Sequence, residues 1–528
     1  MLKTLLSWGL LLASACAGPG AKRQDQTFTN PIIYEDYPDN DVSLGPDGAY
    51  YFSASNFHYS PGAPILRSLD LVNWEPVGHS IPRLDFGDGY NLPDAGERAY
   101  RGGTWASTLR YRESNGLWYW IGCTNFYNTW VFTAESIEGP WENSAHLGAG
   151  NCYYDCGLLI DDDDTMYVVY ASNEVRVAQL SADGLEEVRS ENVFNASDVG
   201  AESIEGNRLY KIGDLYYILN DLPGSTTYIW KSESPWGPWE AKILVESVTS
   251  PLEGGSSPHQ GSLIQTPDGD WYYMSFTWAF PAGRLPVLAP LTWGDDGFPS
   301  LVEGDNGGWG KTYPIPDLGE PPTRWTGVDR FQGTSLGVQW EWNHNPDDSA
   351  YEVNDGLTLS TSSVTEDLYS ARNTLTHRVH GEFPAATVEI DFSNAADGDR
   401  FGLSAFRDRS AYIGIHHNAD GPEIVAKFNM TIDEYSGETL DLGQVVATEP
   451  LPADATKIWF RIEMDVRPTG DRAANLFYSV DSNSFDQLGG TYKLYDGWPF
   501  FLGYRFGIFN HATTEIGGSI KVLSFTTE

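Results

Sequence analysis

Positive charge is the scarcest property of this 528-residue chain, in which 32 Lys and Arg stand against 73 Asp and Glu, for a net charge of −41. A surface of that sign repels phosphate backbones and anionic lipid, which argues against nucleic-acid and membrane partners. Long apolar runs are missing beyond the first 17 residues, and no later segment has the length of a membrane-spanning helix. Ala/Leu/Lys blocks that favour helix are absent too. So are a G-x-S-x-G elbow, a P-loop and a dinucleotide fingerprint after a strand, which removes the usual hydrolase-fold and nucleotide chemistries.

Cysteine is also rare. One of the four, Cys16, falls in a leader-like segment in which Lys3 precedes an apolar run and Ala15-Cys-Ala17 offers a small-x-small cleavage site. The expectation is a secreted protein, with Lys22-Arg23 as a second processing point and 1–23 as signal plus short propeptide. Asn195-Ala-Ser197 and Asn429-Met-Thr431 are N-glycosylation sequons suited to that compartment. Cys123, Cys152 and Cys156 then remain, an odd number that implies one disulfide and one free thiol, with the pairing open. Without suitably spaced histidines they do not form a zinc site.

What the chain does have is a repeated aromatic hairpin. Asp39-Asn-Asp-Val-Ser-Leu44 is followed by a Gly-Pro-Asp-Gly turn and then Tyr50-Tyr-Phe-Ser53. Four more copies follow, led by Trp105, Asp155, Glu205 and His259, at intervals of 66, 50, 50 and 54 residues. Repeats of about 40–50 residues, each a small antiparallel sheet, are the mark of a β-propeller. The segments ending at Trp74, Trp141 and Trp239 echo one another and read as outer hairpins of blades. Residues leading the innermost strands would meet near the axis, which brings two Asp, one Glu, one His and one Trp into one funnel. Asp is common at strand entrances for its turn chemistry alone, but three acids in register call for a site.

The fifty-residue repeat stops near residues 304–322, where Gly, Pro and Asp dominate. Beyond them lie about 200 residues of short alternating strands, the pattern of a β-sandwich. The expected organisation is all-β: a propeller over 24–310, a linker over 311–324 and a sandwich over 325–528. Aromatics make up 14 % of the chain, including 19 Trp. Packing in β-structure accounts for most of them, and the remainder suit the faces of neutral sugars.

Cleaving a glycosidic bond takes one carboxylic acid to protonate the leaving oxygen and a carboxylate to activate water or attack the anomeric carbon. A third acid nearby disfavours ionisation and keeps the proton in place. Asp39, Asp155 and Glu205 supply that number.

These residues carry a resemblance to glycoside hydrolase family 43. It rests on Tyr37-Pro-Asp-Asn-Asp-Val42, Tyr50-Tyr-Phe-Ser-Ala-Ser-Asn-Phe57, Gly103-Thr-Trp-Ala106, Glu205-Gly206, the run from His259-Gln-Gly-Ser to Asp-Gly-Asp-Trp271, and Gly283-Arg284. The second half resembles that family's accessory sandwich through Leu336-Gly-Val-Gln-Trp340, Ala371-Arg-Asn-Thr-Leu-Thr376 and Gly503-Tyr-Arg-Phe-Gly507. The resemblance implies a five-bladed propeller that hydrolyses furanosides or xylosides of plant cell walls with inversion. Carried over by position, it implies Asp39 as general base, Asp155 as the modulating aspartate and Glu205 as general acid. His259 falls on a histidine near the axis, and Arg284 on an arginine that contacts the sugar. Asp41 and Glu202 are the competing acids. The acid-x-x-apolar spacing to Val42 favours Asp39, and the following Gly favours Glu205. Phe57, Trp105 and Tyr154 are expected as wall or stacking groups, and 504–511 as an edge of the cleft. No cofactor is implied, although a structural calcium on the axis is compatible with the pattern. The expected activity is release of α-L-arabinofuranosyl groups from arabinoxylan by a monomer. A β-xylosidase and a non-catalytic carbohydrate-binding protein are the alternatives.

Overall fold

The first repeat shows how each unit is made. Strands Asp41–Leu44 and Tyr50–Ser53 pair antiparallel around a turn in which the Gly45 amide donates to the Ala49 carbonyl at 2.7 Å. Asp47 Oδ1 accepts from the Ala49 amide at 3.1 Å, and Gly48 sits at φ +79°, a conformation that side chains resist. Gly62–Ser68 and Glu75–Ile81 complete a four-stranded sheet. The computed structural model describes residues 27–93, 97–316, 324–452 and 454–528. The leader reading falls on residues outside those described, as does 317–323 of the expected linker.

Four further sheets of four antiparallel strands follow in chain order, giving five blades, I to V. Their inner strands are Asp41–Leu44, Ser107–Arg112, Gly157–Ile160, Glu205–Ile212 and His259–Gln265. Each packs against the next, and the fifth against the first, so the ring closes as a five-bladed propeller. The segments ending at Trp74, Trp141 and Trp239 join the third and fourth strands of blades I, II and IV. Thr27–Thr29 pairs with Thr312–Pro314, tying the two ends of the propeller together with a strand that lies inside the expected linker.

The second half is a sandwich of a nine-stranded and an eight-stranded sheet. Its alternation is regular: Val388, Ile390 and Phe392 on one strand and Ile458, Phe460 and Ile462 on its neighbour are buried, while Glu389 and Asp391 between them are not. Two features weld it to the propeller. Tyr59–Ser60, from a blade I loop, pairs as the edge strand of the eight-stranded sheet against Trp340–Asn343. Ala279, Ala282 and Leu285 of blade V belong to the sandwich core.

A buried charge cluster spans the same seam. Glu341 accepts from Arg378 Nη1 at 2.9 Å and Arg505 Nη1 at 2.5 Å, and meets His79 Nε2 of blade I at 2.9 Å. Burial alone would raise its pKa, but the two guanidiniums outweigh burial and hold it well below the usual carboxylate range. That stability is present above the ordinary Glu value and is lost as pH falls through the depressed one. Glu341→Ala leaves two buried cations without a partner, so a loss of about 3–5 kcal/mol is expected. Calorimetry should show a lowered unfolding temperature, and an unchanged one would mean that water reaches the cluster.

Candidate active site

The residues that lead the inner strands are drawn together from beneath by a fully buried arginine. Arg208 Nη2 donates to the carbonyls of Asp39 and Asn40, both at 3.0 Å, while Nη1 donates to those of Cys156 at 3.0 Å and Asn207 at 2.9 Å. One guanidinium therefore fixes the strand entrances of blades I, III and IV. The Asn207 amide also donates to the Asp155 carbonyl at 3.0 Å.

Above this floor Asp39, 5 % exposed, faces Arg284 from blade V, with Nη1 to Oδ1 at 2.7 Å and Nη2 to Oδ2 at 3.2 Å. Ser55 Oγ donates to the same Oδ2 at 2.6 Å. Such a two-pronged contact sets both position and plane of the carboxylate. Asp41 has a different place. It is wholly buried, accepts from Arg110 Nη1 at 2.6 Å and the Leu109 amide at 2.9 Å, and lies 3.4 Å from Arg208 Nε. Burial would raise its pKa, but Arg110 and Arg208 pull it below the usual value. It joins blades I and II.

Glu205 begins the inner strand of blade IV, and its register slips before Arg208. Gly206 makes this bulge at φ +69°, and a Cβ there would stand 2.3 Å from Asp221 Oδ1. The bulge re-aims Glu205 away from the regular pleat. Tyr154 donates its hydroxyl to Glu205 Oε2 at 3.0 Å, and the Gly206 amide donates to Asp155 Oδ2 at 2.9 Å. Glu202, by contrast, lies exposed in the preceding loop. Burial pushes the pKa of Glu205 up and Asp39 adds to it, against the pull of the Tyr154 hydrogen bond and Arg284. Burial, with Glu205 and Asp39, drives Asp155 well above the ordinary range, against the Gly206 amide and Arg208. The charge on Asp155, with burial and Glu205, raises the Tyr154 phenol, which stays a donor.

His259 starts the inner strand of blade V and is 2 % exposed, with Nδ1 3.0 Å from the Ser257 carbonyl and Phe276 and Trp278 against its ring. Burial lowers its pKa to about 4, so the imidazole is neutral at mildly acidic and higher pH. Among the described residues, no group of three or more His, Cys, Asp or Glu side chains converges as a metal cage.

Aromatic rings wall the opening. Phe57 packs on Trp105 (5.1 Å between centroids) and lies under the Arg284 guanidinium at 5.6 Å. Trp105 meets Phe126 at 4.8 Å, and Phe126 stacks toward Tyr154 at 6.1 Å. The expected edge at 504–511 is not an edge, because strand Arg505–Ala512 is buried throughout. The loop just before it reaches the site instead. Phe501 stacks on Phe57 and its carbonyl accepts from Arg284 Nε at 3.1 Å, while Trp498 stacks on Trp278. On the outer side of Trp105 and Phe126 lies a cleft of about 910 Å³ whose lining also includes Arg101, Tyr127 and, from a sandwich hairpin, Tyr435. Tyr127 and Tyr435 are both 69 % exposed. Cys123 and Cys152 form the disulfide beside Tyr154, and Cys156 is the buried free thiol.

Sequence reasoning missed Ser55, Asp221, Phe126, Phe501 and Trp498. Ser55 stands in the quoted hairpin and so had a signal, whereas Asp221 is set opposite Glu205 only by the Gly206 bulge. Phe501 and Trp498 had none, being loop residues of the other domain.

Clustered carboxylates, a clamped arginine and bordering aromatic rings, with no phosphate cradle among the described residues, suit a neutral sugar. Residues 28–299 match the model of glycosyl hydrolases family 43, and 328–527 match that of the beta-xylosidase C-terminal concanavalin A-like domain. The chain is 29 % identical to a beta-xylosidase of Formosa agariphila, over 98 % of this chain and 92 % of that one. It is 31 % identical to a non-reducing end alpha-L-arabinofuranosidase of Bacteroides ovatus, over 72 % and 73 % of the two chains. A solved structure of a family 43 glycoside hydrolase, engineered in its active site to display both endo-xylanase and exo-arabinofuranosidase activity, superposes with a TM-score of 0.90. It is 41 % identical and covers 95 % of this chain and 100 % of that one. Fold, domain order and matched residues together make the chain a member of glycosyl hydrolase family 43, a glycoside hydrolase with a concanavalin A-like sandwich at its C-terminal side.

Proposed function

We propose that the protein is a secreted, monomeric, inverting α-L-arabinofuranosidase that removes side groups from arabinoxylan, including doubly substituted xylose units. The observation that carries this reading is the meeting of Asp39, Asp155 and Glu205 behind the aromatic rings that border an open cleft. A furanosyl branch enters the funnel, and the main chain that bears it lies along Tyr127 and Tyr435 outside. The solved relative, an engineered enzyme that displays exo-arabinofuranosidase activity, supports the choice of sugar.

In this reading Arg284 and Ser55 hold Asp39 so that one oxygen takes a proton from water as that water attacks the anomeric carbon. Glu205 gives its proton to the departing oxygen as the C–O bond breaks. Asp155 and Glu205 each disfavour the other's ionisation, and the Gly206 amide on Asp155 Oδ2 favours charge there, which leaves the proton on Glu205. Tyr154 orients the Glu205 carboxyl, while Phe57, Trp105 and Phe501 exclude water around the ring.

The curated relative named a beta-xylosidase favours a second reading, in which xylose leaves the end of xylo-oligosaccharides. Incubation with defined arabinoxylan oligosaccharides separates the two: arabinose is expected, and xylose alone from xylobiose would replace the first reading with the second. Proton NMR of the first product is expected to show inverted anomeric configuration. Retention would remove Asp39 from the role of base acting on water. No release from any aryl furanoside or xyloside would leave a carbohydrate-binding protein.

A further inference from the structure

Behind Glu205 lies a fourth acid that the reaction as written does not use. Asp221 is the last residue but one of Leu215–Leu222, the second strand of blade IV, directly opposite Glu205 in the ladder. It is 0 % exposed, and neither carboxylate oxygen has a hydrogen-bond partner. Its carboxyl fills the space that a side chain at Gly206 would need, beside Gln260, whose Nε2 is also unpartnered. The titratable groups facing it are Glu205, Asp155, Asp39, Arg208 and, from blade V, Tyr273.

Charge pairing sorts these groups. Asp39 is paired with Arg284, and Asp41 lies between Arg110 and Arg208, so each of these guanidiniums already faces a carboxylate. Asp155, Glu205 and Asp221 have no ion pair among the described residues. With no cation left over for them, a second ionised acid among the three would be a buried charge without compensation. Glu205 must hold its proton to act as the acid, so this step rests on the function proposed above. Between the other two, Asp155 receives the Gly206 amide whereas Asp221 receives nothing.

We propose that Asp221 is a neutral carboxylic acid throughout turnover. As a positioning residue it braces the Gly206 bulge from behind and leaves the single negative charge of the floor to Asp155. It acts through Glu205 and touches no substrate.

Infrared difference spectra of the full chain test this at the pH of maximal activity. Asp221→Asn is expected to lose one protonated-carboxyl C=O band, and the same loss is expected in a Glu205→Gln background. If no band disappears, Asp221 is ionised and the proposal falls. Kinetics on an aryl arabinofuranoside give the second arm. Asp221→Asn, of the same shape and neutral, should keep the alkaline limb of the pH profile in place. An acidward shift of that limb would mean that a charge had been removed, and would overturn the proposal. Asp221→Leu is expected to lower kcat by about tenfold or more at unchanged KM, as the bulge moves. Unchanged kcat in a folded Leu variant would refute the bracing role, and if that variant does not fold, the Asn spectra decide. Should Glu205→Gln retain its turnover of arabinoxylan while the Asp221 band is still lost, the assignment of Glu205 is wrong and the neutral Asp221 stands.

Discussion

Replacing Glu205 by Gln is expected to lower turnover of arabinoxylan by about 10²–10⁴-fold, the range that a general acid contributes, at nearly unchanged KM. The loss should be much smaller on an aryl arabinofuranoside with an acidic phenol, which departs without a proton. Substrate identity therefore reads the role directly, since a residue needed only for shape would depress both reactions alike. pH adds a second signature. Burial first, and then Asp39, raise Glu205 above the ordinary carboxylate range, so the competent acid form persists to higher pH and activity falls as pH rises through that value. The alkaline limb of kcat/KM should lie above the usual Glu range in wild type and flatten for the aryl substrate in Glu205→Gln. Equal losses on both substrates would return the proton-donor role to another of the buried acids.

The repeat unit carried most of what could be read before the structure. Asp39, Asp155 and Glu205 were legible because each stands at the entrance of an inner strand, and the propeller turns equal positions along the repeat into neighbours in space. Asp221 lies at the far end of a second strand and becomes a neighbour of Glu205 only through the ladder register, which depends on the bulge at Gly206. Phe501 and Trp498 could not be found in this way. They come from a loop of the sandwich, held against blade V by contacts such as the Asp36 carboxylate with the Arg284 amide at 2.8 Å and the Gly503 amide at 2.9 Å. No periodicity records such a pairing across more than 200 residues. The division of the chain was blurred for a related reason. Thr312–Pro314 pairs back onto Thr27–Thr29 and Tyr59–Ser60 crosses into the other domain's sheet, and a composition shift shows neither exchange. Spacing alone could also only prefer Asp39 over Asp41, whereas their partners place one at the mouth with Arg284 and the other in the floor with Arg110 and Arg208.

That difference of place makes Asp39→Asn the complementary experiment. Without a base, attack by water should slow by about 10²–10⁴-fold, on the aryl furanoside as much as on arabinoxylan, because both need an activated water whatever group leaves. The pattern across substrates is therefore the reverse of that expected for Glu205, and the two variants together identify acid and base without reference to any relative. A structural cost accompanies the change. Arg284, itself 5 % exposed, loses the carboxylate that met it with two oxygens, and a guanidinium left unpaired in such a place destabilises the fold, so a lowered unfolding temperature should accompany the loss of rate. Asp41→Asn separates the two effects. Its carboxylate is locked under the ring by Arg110 and Arg208, so that variant should lose stability while the rate of the remaining folded enzyme falls far less. If Asp41→Asn abolishes turnover and Asp39→Asn spares it, the attacking water sits one layer deeper on the axis than the Arg284 clamp implies.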